Sequence, residues 1–434
     1  MHKKRTALGA SVIGLATIGS LLAQGAAQAD LAPQPKDVVT VGSDIQQNAF
    51  NFLADGYGAL PGFNTAGNKW RLVSFDSSGD AQGRTAYVDP AASNTYSGNL
   101  DATGGNEDYV KLNDIKVLNP AATLSAGAPN EVRPSGGNGG ITALLQDGTN
   151  HWIDVARSPN LPTAAQGSQA AGAAGVGTIH TVQIGLDKDL ILTSTDTHAP
   201  STLTVEQVAW IYRGKKADDT PVLTWDAVGG TGTDTILPLT LPASAGMRDV
   251  FLRPLAAYWG QAFGTTAEKN AFVTNYITNP NRRQVQQNDP TVITGLASNV
   301  DKQNTIVPFP RGRFRLLQSG YYIDTTVNGT AGANSYTAAS RTPLSVAGLK
   351  LLDENGTNQT GGSSSFVVDF PYNAIFRDSD YQSTTPWQPG STLNWVQALF
   401  YNPDGPEPFV KTEAGQALLE AAGITPAYVD KGTP

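Results

Sequence analysis

The sequence predicts an α/β protein of two lobes, and three observations predict it. Short apolar runs alternate with amphipathic helical stretches along most of the chain. Three of the junctions from run to helix carry Gly, Ser, Asn or Asp, and such junctions lie at the carboxyl ends of strands, where open α/β sheets take ligands. The chain is long enough for two ordinary cores. No internal repeat at a fixed period is visible.

The elements follow in chain order. Lys3, Lys4 and Arg5 precede an apolar stretch from Ala7 to about Ala23, and Ala27-Gln28-Ala29 offers small residues where a signal peptidase reads. Residues 1–29 are therefore expected to be a signal peptide cleaved before Asp30; the run is short and Gly-rich for a permanent anchor. Asp37–Gly42 reads as a buried strand, after which Ser43 or Asp44 caps a helix carrying Ala49, Phe50 and Leu53. Leu60–Thr103 reads as long loops interrupted by a strand at Trp70–Phe75, and Lys111–Leu118 as a further strand. Arg133–Leu145 repeats the first pattern, a Gly-rich turn opening a helix with Ile141, Leu144 and Leu145 on one face. Trp152–Ala156 is the next strand, and the Ala/Gly/Gln-rich stretch Leu161–Gly177 reads as a flexible surface segment. Ile179–Leu186 and Leu190–Ser194 read as two paired strands. Thr204–Tyr212 is an amphipathic helix capped by Thr202 or Thr204. Thr235–Leu241 is a strand, Pro242–Met247 a small-residue turn, and Arg248 begins a helix reaching about Trp259. A helix at Ala267–Ile277, a strand at Ser365–Phe370 and helices near Leu393–Phe400 and Ala414–Ala422 complete the chain.

Composition excludes several functions. There is no cysteine, so disulfides, thiol catalysis, cysteine-ligated metals and a lipid-bearing cysteine are all out. The formal charge of −8 becomes more negative once the leader's three cations leave, and an acidic chain is a poor partner for nucleic acid. No later apolar run is long enough for a membrane span. His151, His180 and His198 lack metal-ligand spacing and read as structural. Asp218-Asp219 and Asp378-Ser379-Asp380 do not match a calcium loop. The esterase elbow and the P-loop are absent, and no cofactor motif appears. The dispersed tryptophans read as core residues.

The order of short motifs is nonetheless specific. VGSD, SGGNGG before a helix, DVARSPN, LTVEQVAWIY, SAGMRDVF, QQNDPTVI and IVPFPRGRF follow one another along residues 37–376. In this order the chain resembles the phosphate-binding component of bacterial ABC importers, above all the secreted actinobacterial forms. The resemblance implies the type II periplasmic-binding-protein fold: two α/β lobes joined by two crossing strands, with the ligand between them. It implies crossings near Leu192–Pro200 and Ser365–Asp369, with lobe one at residues 30–195 plus 367–434 and lobe two at 196–366. It also implies a small anion as ligand, an ABC permease as partner and no catalysis.

An oxyanion in a cleft must exchange water for hydrogen-bond donors. Helix N-termini supply unpaired amides and a partial positive end. Three such seats are expected: Ser43-Asp44, Asn138-Gly139-Gly140 and Ser244-Ala245-Gly246, with Ser158 as a further ligand-binding candidate. Arg157 or Arg248 would add a charge-assisted contact. Each has a plainer alternative: a helix cap, a tight turn, a salt bridge, or, for Arg248, a solvent-facing cation in a first helical turn. The family's Gly-Ser-Gly-Thr is replaced here, with Ala245 at the Ser position and Met247 at the Thr position. Its upstream Arg falls near Leu241, and its carboxylate at Pro159. Hydrogen bonds to a charged ligand contribute roughly 1.5–3 kcal/mol each, so losing two or three lowers affinity by orders of magnitude. A competing expectation is therefore a secreted interaction or structural protein that kept the fold and lost phosphate.

Overall fold

The computed structural model describes residues 34–64, 71–75, 86–87, 117–118, 121–241, 245–285, 290–319, 345–356 and 362–434. The expected signal peptide at 1–29, Trp70, most of the loops at 76–120, Ser244 and most of the 325–365 insertion lie outside these residues.

The strands in chain order are β1 (Val38–Gly42), β2 (Leu72–Ser74), β3 (Ala86–Tyr87), β4 (Val117–Leu118), β5 (Ala121–Thr123), β6 (Asn130–Val132), β7 (Val155–Ser158), β8 (Ile179–Ser194), β9 (Leu237–Thr240), β10 (Arg283–Gln284), β11 (Thr305–Pro310), β12 (Leu349–Leu351), β13 (Val368–Arg377) and β14 (Thr425–Gly432). One mixed sheet runs β10-β9-β11-β8-β13-β7-β1-β2, with β12 and β14 also on β8. β3 with β4, and β5 with β6, form two small antiparallel ribbons.

β8 and β13 are the two crossing strands. The first half of β8 pairs with β13 and β14, its second half with β11 and β12. β13 runs antiparallel to β8 and continues onto β7, which is parallel-linked through β1 to β2. On the other side β11 leads to β9 and β10 in parallel. The architecture is thus α/β, with two lobes joined by two crossing strands, as the resemblance implied.

The expected pair of strands at 179–194 is one continuous strand of 16 residues. Asp187-Lys188-Asp189 looks like a turn, yet it continues the strand, with Asp187 and Lys188 bonded to distant segments while both Asp189 carboxylate oxygens lack a hydrogen-bond partner among the described residues. Asp187 accepts from the amides of Lys188 and Gly312 at 2.7 and 2.9 Å, and Lys188 donates to the Gly356 carbonyl. Burial, opposed by those two amides, pushes the Asp187 carboxyl up to about 6. Asp189 is also fully buried, which raises its carboxyl well above the ordinary range.

Three further expectations change. The Leu161–Gly177 segment contains the Ala164–Ala170 helix, because Thr163 and Gln166 close a reciprocal capping box and Ala170 is buried. The Trp152–Ala156 strand shifts to β7, because the Asp147 carboxylate takes the Trp152 and Ile153 amides before a ladder can form. The first helix spans Gln47–Asp55 with Gln46 at its N-cap and no side-chain cap bond; Ser43 and Asp44 instead open a turn, their carbonyls accepting from Gln46 and Gln47. The expected Ser365–Phe370 strand is β13 and runs on to Arg377, since it pairs with both β8 and β7. The Gly137–Gln146, Val205–Arg213, Gly246–Tyr258 and Thr266–Tyr276 helices hold within a few residues, and Thr204 closes a capping box with Gln207.

The apolar interior has three parts. Val39, Val41, Ile141, Leu144, Ala156 and Ile375 pack the Gly137–Gln146 helix on one face of the lobe-one sheet. Tyr212, Trp225, Phe251 and Phe366 belong to the lobe-two core, which also buries Trp225 completely. The third and largest part is continuous from Phe50 and Leu53 in lobe one to Leu239, Met247 and Val292 in lobe two.

Candidate functional site

β1 and β7 run parallel and leave the sheet side by side, with Gly42 opposite Arg157. Gly42 has φ +116°, and a Cβ there would lie 2.6 Å from the Arg157 carbonyl and 3.0 Å from the Cα of Gly140. Only glycine fits such a turn. Gly140 rests on Gly42 in return, so the first turn of the Gly137–Gln146 helix sits on the ends of both strands. Gly136, with φ +74°, swings the chain into that helix. Gly137 then meets Ser158: a Cβ on Gly137 would be 2.7 Å from the Ser158 hydroxyl and 2.6 Å from Pro159 Cδ.

The second lobe reaches the same spot. A Cβ on Gly246 would lie 3.3 Å from Pro159 Cγ, 3.4 Å from the Gly137 amide nitrogen and 3.7 Å from Asn160 Nδ2. The N-termini of the Gly137–Gln146 and Gly246–Tyr258 helices therefore face each other across Ser158-Pro159-Asn160. Their first-turn amides have no acceptor four residues back, and both helix dipoles present their positive ends here. Ser158 is fully buried and its hydroxyl accepts from the Asn160 amide at 3.0 Å. The Asn160 Nδ2 atom is buried without a hydrogen-bond partner. Burial and the neighbouring charge of Arg248 pull Arg282 below its ordinary value, so two guanidinium groups share the surroundings of the Gly246 helix start.

The other expected site residues distribute differently. Asn138 is exposed, and nothing stands within 4 Å of the Cβ position of Gly139. Gly140 serves the packing on Gly42. The Arg157 guanidinium points to the sheet face opposite Ser158, donating to Thr40, Ser74 and the Phe75 carbonyl and lying 5.9 Å from the Phe50 ring centroid. It is wholly buried there and holds the ends of β1 and β2 together. The Ser43 amide donates to the Arg157 carbonyl at 3.0 Å. Asp44 is buried; after burial itself and Asp187, its charge helps raise the Tyr372 phenol, whose hydroxyl donates to the Ile45 carbonyl. Arg248 stands in the first turn of its helix. Sequence reasoning missed Gly137, Asn160 and Arg282. The first two sit inside motifs already noticed, SGGNGG and RSPN, and only their facing positions single them out.

An apolar seam closes the rest of the junction. Leu241, Ala245 and Met247 are buried in the same continuous core as Ile45, Ala49 and Phe50 of the other lobe. A groove of about 810 Å³ lined by Pro35, Lys36, Pro386 and Pro389 lies apart from these helix starts. At the opposite end of β7, His151, Asp154 and Asp380 bring ligand-type atoms within 4.8 Å of one another. Arg377 already occupies that end: it pairs with Asp147 and faces Asp380 at 3.5 Å and Asp154 at 3.9 Å. The cluster's carboxylates thus already share the Arg377 guanidinium, and we assign no metal to it.

No protein-family model matches the chain, and no curated protein matches it. Solved structures do. An ABC-type phosphate transport receptor from Vibrio cholerae is 17% identical, with a TM-score of 0.38 over 67% of this chain and 86% of that one. A phosphate ABC transporter substrate-binding protein from Clostridium perfringens, with bound phosphate, is 14% identical, with a TM-score of 0.35 over 66% and 84%. A phosphate-binding protein from Stenotrophomonas maltophilia is 13% identical, with a TM-score of 0.39 over 68% and 83%. At TM-scores this low the superpositions lend no weight to a ligand for this chain.

Proposed function

We propose that the chain is an exported solute-binding protein, not an enzyme, which holds a small oxyanion where its two lobes meet. The oxyanion is phosphate by the sequence resemblance, and delivery to an ABC permease follows from the same resemblance. One observation carries the reading: the backbones at Gly137 and Gly246, at the starts of helices from different lobes, come together over Ser158. Two positive helix ends at one point would repel across a dry junction, and an anion is the group that relieves this. Lobe one is residues 30–195 with 367–434 and lobe two is 196–366, so that ligand entry requires bending at β8 and β13.

The donors are mostly backbone amides, since Ala245 and Met247 offer no hydroxyl. Isothermal titration of inorganic phosphate into the native protein is expected to give binding that Ser158→Ala weakens about tenfold, equal to about 1.4 kcal/mol. No heat and no thermal shift at millimolar phosphate rejects the reading. The buried seam of Ile45, Leu241, Ala245 and Met247 favours a second reading, an interaction protein whose lobes are locked shut. That version expects no anion binding and recovery of a cell-envelope partner on the native protein.

A further inference from the structure

We propose that the middle of β8 is a proton-operated hinge, in which Asp189 keeps its proton while the lobes are together and gives it up when they part. Acid then favours the closed arrangement and alkali the open one. The inference rests on the two-lobed architecture and stands whether or not the junction holds an oxyanion.

β8 changes partners within a few residues. Along one edge it pairs with β14 as far as Leu186 and with β11 from Asp189 onward. Along the other it pairs with β13 up to Asp189 and with β12 from Leu192. Asp189 stands at the handover, opposite Pro310 at the end of β11 and Val368 at the start of β13. Each edge has a break in its ladder between Leu186 and Leu192, so bending between the lobes concentrates there.

The two acids of this stretch share a face of the strand and are met differently. Asp187 accepts from the amides of Lys188 and Gly312, and its Oδ2 lies 3.4 Å from the Tyr372 hydroxyl. Its carboxyl, pushed up by burial to about 6, is ionised at neutral pH. Asp189 has no exposed surface, and neither of its carboxylate oxygens has a hydrogen-bond partner among the described residues. A carboxylate so placed is costly as an anion, and a proton removes the charge.

The surrounding groups give Asp189 no counter-ion. Lys188 takes the other face, donating to the Gly356 carbonyl and lying 3.9 Å from Asp369. Arg311 donates to Thr425 of β14, and Arg315 pairs with Glu354. Arg313 and Asp44 bear on Tyr372. Tyr212, from the lobe-two helix Val205–Arg213, donates to the Leu239 carbonyl, and its phenol is raised by burial and then by Asp189. The helices at 246–258 and 299–304 also pack on β8 and carry Arg248, Asp249, Arg253, Asp301 and Lys302. Of all these groups Asp187 alone shifts the Asp189 carboxyl, and after burial it pushes it further up. Below the ordinary value of 3.8 Asp189 is protonated in either arrangement, and the closed one keeps its full advantage. That advantage is lost as pH rises through the raised value, by up to about tenfold in the open-to-closed ratio per pH unit.

The chain has no cysteine, so Gln169→Cys in lobe one and Asn270→Cys in lobe two, both at exposed positions, place a pH-insensitive fluorophore pair without background. Energy transfer in the phosphate-free protein is expected to fall between pH 5 and pH 9 as the lobes part, while far-ultraviolet circular dichroism holds. Asp189→Asn cannot ionise and is expected to keep at pH 9 the transfer seen at pH 5. Asp187→Asn removes the like charge and is expected to move the transition to lower pH; it decides the matter if Asp189→Asn does not fold. Native transfer that ignores pH, an Asp189→Asn curve that follows the native one, or an Asp187→Asn transition that stays in place overturns the inference. So does a fall in transfer that circular dichroism tracks, since that is unfolding and not opening.

Discussion

The two ends of β7 make a sharp contrast. At its entrance, Asp147, Asp154 and Asp380 crowd around Arg377, with His151 3.7 Å from Asp380. At its exit, Ser158, Pro159, Asn160 and three glycines carry no formal charge. The charged end looks more like a site; its carboxylates lie within ion-pair distance of Arg377, although Arg377 Nε and Nη1 and Asp380 Oδ2 make no hydrogen bond among the described residues. The Val39 amide donates to Asp154 at 2.8 Å, and β13, running antiparallel to β7, delivers Arg377 there. The neutral end keeps donors and a carboxamide unanswered. The difference between the ends is therefore one of charge: at the entrance unmet atoms belong to a buried cation and a carboxylate that attract each other, whereas at the exit they belong to neutral carboxamides with no counter-charge.

Four substitutions probe the contrast, from the largest effect to the smallest. Arg377→Met should cost about 3–5 kcal/mol in chemical denaturation, because it leaves several buried carboxylates without their cation. A loss under 1 kcal/mol would mean that the entrance is not held by internal pairing. Gly42→Ala should cost about 2–4 kcal/mol, since its φ of +116° and the 2.6 Å approach to the Arg157 carbonyl forbid a Cβ. A neutral result would separate the seat of the Gly137–Gln146 helix from the strand ends.

The third probe is pH. Burial above all raises the Asp154 carboxyl to about 8, against an ordinary value of 3.8. Its protonated form is therefore the one the fold prefers. The associated stability is complete below about pH 4 and is lost as pH rises through 8. Asp154→Asn keeps a carbonyl acceptor for the Val39 amide and cannot ionise. It should match the native midpoint near pH 4 and exceed it by a few degrees at pH 9, as scanning calorimetry would read. Parallel midpoints across that range would place the charge elsewhere. The smallest effect is at the exit: Gly139→Ala meets nothing within 4 Å and should stabilise by about 0.5–1 kcal/mol through helix propensity. Under the proposed anion site, phosphate affinity should stay within twofold, because the added methyl meets nothing within 4 Å.

Patterns of local cause were legible without coordinates. The 3.6-residue spacing in VEQVAWIY, the Thr204 cap and the glycine turn before Ile141 all act within a few residues, so they are readable in the order of the chain. The Thr163–Gln166 box is equally local and was passed over because Ala and Gly dominate its composition. The split of 179–194 into two strands fails for the opposite reason: the groups that answer Asp187 and Lys188, Gly312 and Gly356, are far away along the chain. The candidate site divides in the same way. SGGNGG and SAGM each announce a helix start, whereas the burial of Arg157 beneath β1 and β2 does not follow from DVARSPN.

By itself, then, the sequence determined the α/β class, most helix starts and the absence of thiol chemistry, because these depend on residue type and on neighbours within one or two turns. Tertiary structure alone decided that Gly137 faces Gly246, that Arg157 turns away from Ser158, and that Asp189 is buried where β8 changes partners with its carboxylate unmet. Those facts depend on which strands lie side by side and which face each residue takes. Pairing between segments more than a hundred residues apart leaves no local trace in the chain.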